Sequence, residues 1–136
     1  NQNLNYNTDD IKLDNNITDD NDGTIATNNN TRLREVMTLY STAPLLITDS
    51  IGQPNTWDIS QVTSMDSLCS STTFNSDISN WDVSNVTNMS WMFYKAISFN
   101  IDLSNWCVEN ILNEPVQFAV DASNWTAPQP IWGTCP

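Results

Sequence analysis

The sequence predicts an α/β repeat fold: a short solenoid of parallel strands, opened by an N-terminal capping helix and closed by a disulfide-stapled C-terminal cap. Three observations predict it. Tryptophans return at Trp57, Trp81 and Trp106, spaced by 24 and 25 residues. Asp-x-Ser-Asn precedes Trp81, Trp106 and Trp125. An amphipathic stretch, "TRLREVMTLY", lies upstream of the first unit at 31–40. Recurrence of this kind marks a structural unit, because a stacked core needs many similar layers whereas a catalytic motif needs one site.

The first thirty residues differ from the rest. They are polar and rich in Asn and Asp, the composition of a disordered or extended arm. Leu4, Tyr6, Ile11, Leu13 and Ile17 stand mostly at even separations. The arm could therefore pair as strands, along its own stack or on a neighbouring subunit. Residues 31–56 read as an N-terminal cap. Leu33, Val36, Met37 and Tyr40 fall at i, i+3, i+4 and i+7, predicting a helix over 32–41 with Asn30 or Thr31 as N-cap. Pro44 limits its extension.

Two full repeats follow, 57–80 and 81–105. Apolar positions recur with the tryptophans: Ile59, Val83 and Val108; Val62, Val86 and Ile111; Met65 and Met89; Leu68 and Met92; Phe74, Phe99 and Phe118. In "SNWDVSN" apolar and polar residues alternate, which predicts a short strand. In "VTNMSWMF" apolar residues come three or four apart, which predicts one or two helical turns. One strand and one short helix in about 24 residues is the size of a leucine-rich-repeat unit. Residues 106–136 read as a degenerate repeat and cap, with Trp125 a fourth tryptophan after only 19 residues and Pro115 interrupting any helix. Cys107 and Cys135 flank it. A bridge between them would contribute about 3 kcal/mol by loop entropy, although three cysteines allow other pairings. Cys69 stands where Phe93 stands in the next unit and reads as a buried free thiol, with intermolecular pairing the alternative.

These residues, above all "WDVSNVTNMSWMFYKAISFNIDLSNW", resemble the repeat of the BspA-type leucine-rich-repeat surface proteins. The resemblance covers Trp57 to Trp125, and the upstream helix and "PQPIWGTCP" ending are similar to features that bracket such arrays. It implies a surface or secreted protein used in adhesion and interaction, and it brings no catalytic residues.

The formal net charge is -12 with four fixed cations, which disfavours nucleic acid and anionic membranes as partners. No apolar run is long enough to span a bilayer. Histidine is absent, removing the commonest general base and metal ligand. Asp58, Asp82 and Asp102 recur with the repeat, so they read as turn residues rather than an acid–base pair. In "TDDNDGTI" Asp20 and Asp22 offer calcium oxygens, but Asn29 stands at the twelfth position, where a bidentate Glu belongs. The stretch reads as a solvated acidic turn, with calcium the alternative and no other cofactor expected. Sequons begin at Asn16, Asn29, Asn85, Asn88 and Asn124. With 20 Asn and 29 Ser or Thr among 136 residues, chance alone gives roughly four, so the motif says little about glycosylation.

The repeat-phase tryptophans read as core, Trp132 as part of the terminal cap, and Trp91, which replaces Ser67 of the preceding unit, as an exposed contact residue. The expected function is that of an extracellular or cell-surface, non-catalytic module for adhesion, recognition or protein–protein contact. Its partner would be a protein or glycan ligand, or copies of itself. The alternatives are a subunit that assembles end to end into a filament or coat, and a carbohydrate-binding module. A chain that begins at Asn1 suggests processing after secretion, or trimming.

Overall fold

The computed structural model describes residues 25–136. Two helices come first, α1 (Ile25–Thr42) and α2 (Pro44–Ile51), followed by a single 3-10 turn over Pro54–Thr56. Helix α1 buries Leu33, Val36 and Met37, the stripe its periodicity demanded. It begins at Ile25, several residues before the expected start, so Asn30 lies inside the helix and is not its N-cap. Pro44 ends α1 and occupies the first turn of α2, where its missing N–H costs nothing. Of the apolar run 43–47 only Ile47 is buried, while Leu45 and Leu46 face solvent. Helix α2 stops at Gly52, whose φ of 87° favours glycine.

From Trp57 onward the expected parallel-strand solenoid is not what the chain builds. Among the described residues there is no strand and no helix in this region, and one isolated parallel bridge joins Ser64 and Asn88. The reason lies in the backbone. Ser67, Ser71, Trp91, Lys95, Gln117 and Asp121 all take φ between 55° and 64°. An extended strand needs φ near -120° and a right-handed helix about -63°. Two left-handed residues four positions apart in each unit end both.

What the repeats build instead are coils made of consecutive turns. The N–H groups of Met65, Ser67, Cys69 and Ser71 donate to the carbonyls of Asn88, Ser90, Met92 and Tyr94 in the next unit, at 2.7–2.9 Å. Between them, Leu68 and Ser70 donate back to Met65 and Ser67 within their own unit, both at 3.2 Å. The next unit repeats the alternation: Trp91, Phe93 and Lys95 donate onward to Val116, Phe118 and Val120, while Met92, Tyr94 and Ala96 donate three residues back. Along this ladder the N–H groups serve the following coil and the carbonyls serve the preceding one.

The left-handed residues also set the register. Ser67, Trp91 and Gln117 correspond, as do Ser71, Lys95 and Asp121, so the offset is 24 residues and then 26. This moves two of the expected alignments. Phe118 follows Leu68 and Met92, not Phe74 and Phe99. Trp125 joins the phenylalanine column, its ring 4.8 Å from Phe99, which stacks on Phe74 at 6.2 Å. The Asn column agrees: Asn75 Oδ1 accepts from the N–H of Asn100, and Asn100 Oδ1 accepts from those of Thr126 and Ala127.

The core is continuous through these columns. Trp57, Trp81, Trp106, Val62, Val86, Ile111, Met65, Met89, Phe74, Phe99 and Phe118 are all buried. Each of four tryptophans also uses its polar handle, as a buried indole must. Trp81 Nε1 donates to the Pro54 carbonyl at 2.7 Å, Trp106 to Ile78 at 3.1 Å and Trp125 to Ile101 at 3.1 Å, each reaching the preceding unit. Trp57 has no unit before it and donates to Gly52.

Helix α1 closes the first coil by imitation. The N–H of Thr87 donates to the Thr63 carbonyl one unit earlier. Thr63 has no earlier unit, and the side chain of Asn30 stands in, its Oδ1 accepting from the N–H groups of Thr63 and Ser64. Tyr40 packs edge-on to Trp57 and Phe74, covering the columns, and its hydroxyl bonds Ser76 Oγ. At the other end a disulfide joins Cys107 to Cys135, and the N–H of Val108 donates to Thr134 at 2.8 Å.

Two expectations follow for stability. Trp106→Phe removes one of the two donors to the Ile78 carbonyl, which keeps the N–H of Trp81. It also leaves part of the indole's buried place empty, so it lowers the unfolding free energy by about 2 kcal/mol in urea titrations. At exposed Ser67, Val is less stable than Gly by about 1–2 kcal/mol, because only glycine accepts a left-handed backbone freely. Equal midpoints for the two Ser67 variants would show that this backbone geometry is absent in solution.

Candidate interaction surface

The carboxylates are used within the fold. Asp58, Asp82 and Asp102 each accept from both the backbone N–H and the hydroxyl of the Ser two residues on: Ser60, Ser84 and Ser104. Asp77 accepts the N–H of Ser79 in the same way. These short loops are closed by the side chain's reach to the backbone two positions ahead, which is why Asp-x-Ser recurs. The Ser104 hydroxyl, followed by its N–H, holds the Asp102 carboxyl below the ordinary value.

The cysteines divide by environment. Cys69 is fully buried, and burial pushes its thiol far above the usual range, so almost no thiolate forms at neutral pH. Cys107, Glu109 and Cys135 bring potential ligand atoms within 4.8 Å of one another. The two sulfurs are bonded to each other, however, and offer a metal no thiolate. Of the sequons, Asn85 is exposed but its Nδ2 already donates to the Ser60 carbonyl at 2.8 Å, and Asn110 makes the equivalent bond to Ser84. The Asn88 Oδ1 accepts from Ser90 N–H, while Asn124 is exposed. Asp20, Asp22, Asn16 and most of the N-terminal arm lie outside the described residues, as does the Asn29 side chain.

The unused side chains project from the turn ladder. Corresponding outward positions change character along the stack. Asp66 becomes Ser90 and then Val116; Ser70 becomes Tyr94 and then Val120; Ser67 becomes Trp91 and then Gln117. The first unit is therefore polar on this face, and the later two add Trp91, Tyr94, Val116 and Val120 beside Ser90 and Gln117. Trp91 is 37% exposed, Val116 62% and Val120 45%. The carbonyl of Val116 accepts the N–H of Trp91, so residues of the two units adjoin. The Tyr94 ring meets Trp91 at 4.7 Å in an edge-to-face arrangement, and Lys95 Nζ stands 5.2 Å from the Tyr94 centroid. A bulky aromatic held at φ 62° is uncommon, and such strain concentrates where a side chain must be presented.

The exposure of Trp91 was legible in the sequence. Tyr94, Lys95, Val116 and Val120 were not, because aligning on Trp125 hides the 26-residue offset that places them together. The patch can bind by aromatic and aliphatic contact, with one cation at its edge. Among the described residues no helix is long and apolar enough to cross a membrane.

Fold and surface together define a repeat protein of stacked, turn-built coils with an exposed apolar face. The chain belongs to the family described as Mycoplasma protein of unknown function, DUF285, whose model matches residues 12–132. No curated protein and no solved structure matches it.

Two measurements check the chemistry of the site. Iodoacetamide at neutral pH leaves Cys69 unmodified in the folded protein and labels it only in denaturant; rapid labelling of the native chain would contradict its burial. Because the Ser104 hydroxyl and N–H hold the folded Asp102 carboxyl below its ordinary value, their stabilising contribution is complete above the ordinary value and fades as pH falls through the lower folded one. Asp102→Ala is therefore less stable than the parent at pH 7, and the gap narrows in acid.

Proposed function

We propose that this protein is a non-catalytic contact module working outside the cell, which binds a protein or glycan partner through the Trp91–Tyr94–Val116–Val120 face. The observation that carries the reading is the exposed apolar patch in which Trp91, Val116 and Val120 come together on the turn ladder. Monomeric surfaces seldom leave adjoining aromatic and aliphatic groups open unless something covers them. Aromatic residues beside a cation are also the composition of binding hot spots. The carboxylates that could have served acid–base chemistry are occupied in Asx turns, and the buried thiol is inert, which favours recognition over catalysis. The disulfide favours an oxidising compartment. The likeness of the repeat to BspA-type surface proteins points the same way and supports adhesion as the use of the contact.

Binding of fluorescently labelled protein to intact cells, read by flow cytometry, tests this. Trp91→Ala combined with Val116→Ser is expected to lower binding at least tenfold while leaving the thermal midpoint nearly unchanged, since both side chains lie at the surface. Prior treatment of the cells with protease or with glycosidases separates the two partner classes. Undiminished binding by the double variant would remove this face from the function.

A further inference from the structure

We propose that the last coil of one copy docks on the first coil of another, so that molecules join head to tail and the turn ladder continues between them. The proposal is independent of the partner reading above. It rests on two open edges that complement each other in the register the chain already uses twice.

The first edge is a row of donors. Gln117, Ala119 and Asp121 correspond to Ser67, Cys69 and Ser71 and to Trp91, Phe93 and Lys95, all of which donate their N–H groups to the next coil. Among the described residues no carbonyl or side chain accepts from Gln117, Ala119 or Asp121. The second edge is a row of acceptors. The carbonyls of Asn88, Ser90, Met92 and Tyr94 receive bonds from the preceding coil, and among the described residues none donates to their counterparts in the first unit, Ser64, Asp66, Leu68 and Ser70. Helix α1 covers the ends of that coil through Asn30 and Tyr40, and among the described residues nothing fills its middle. There a groove of about 310 Å³ runs between Arg34, Met37, Thr38 and Ser41 on the helix and Ser67, Leu68 and Thr72 on the coil.

A neighbour's edge seated in the groove would place Gln117, Ala119 and Asp121 N–H groups opposite the carbonyls of Asp66, Leu68 and Ser70. That repeats the pairing of Ser67, Cys69 and Ser71 with Ser90, Met92 and Tyr94. The charges suit the arrangement, since Asp121 ends the donor edge and Arg34 lines the acceptor groove. The contact is heterologous, so each added copy exposes the same pair of edges and growth does not close. Like copies of net charge -12 repel at long range, and salt that screens this repulsion favours joining.

Sedimentation velocity on the full chain tests the proposal. The average mass is expected to rise with protein concentration past the dimer, and to rise further between low and moderate salt. Asp121→Arg spoils only the donor edge, by facing Arg34 with a like charge, and Thr38→Trp fills only the acceptor groove. Both positions are exposed, so both variants keep the native circular dichroism spectrum. Each alone is expected to stay monomeric at concentrations that assemble the parent. An equimolar mixture retains one good edge and one good groove, and is expected to give a dimer and nothing larger. A parent that remains monomeric at every concentration, a mixture that remains monomeric, or single variants that still assemble overturns the proposal.

Discussion

A chain without helix or strand must still pair its buried peptide groups, and that constraint organises everything after Trp57. The solution alternates. One N–H turns back three residues to close its own coil, and the next crosses to the neighbouring coil. A pair of left-handed residues four positions apart in each unit makes the alternation possible. Side chains finish what the backbone cannot reach: Asn55, Asn75 and Asn100 accept from the next unit, while Asn85 and Asn110 donate to the preceding one. At these five positions asparagine meets a hydrogen-bonding requirement between units.

Hydrophobic burial and hydrogen bonding are coupled through the tryptophans. Each ring fills its layer and each Nε1 ties that layer to a carbonyl of the one before. Removing an indole therefore disturbs two units at once. Large and small residues also alternate between layers: Phe93 stands between Cys69 and Ala119 at corresponding positions, so the big ring finds room beside its smaller counterparts. Burial also explains why Cys69 is chemically quiet.

Much of the repeat was legible in the sequence, because apolar and polar positions recurred together and the interior they predicted is buried. The capping helix was legible from the spacing of Leu33, Val36 and Met37. The secondary structure of the units was not. Alternating Trp and Val resembles a strand, and Val86, Met89 and Met92 resemble a helix, but both patterns also suit successive turns. Ser67, Trp91 and Lys95 carry no signature of a left-handed backbone, for which glycine would have been the sign. The contact face was lost for a related reason. Trp125 follows Asp-x-Ser-Asn as Trp81 and Trp106 do, yet it fills the phenylalanine column, and only the ladder bonds reveal the longer offset. Asn30 is a similar case: an Asn near a helix start suggests a cap, whereas here it serves another element altogether.

The disulfide has a mechanical consequence. The bonds between coils follow one another from unit to unit, so tension applied to the two ends of the molecule meets them in succession, and coils peel away singly at low force. The Cys107–Cys135 bridge withdraws the 28-residue segment it spans from that extension. A tether built this way lengthens from its N-terminal side and stops short, with its last loop still held when the rest has been drawn out.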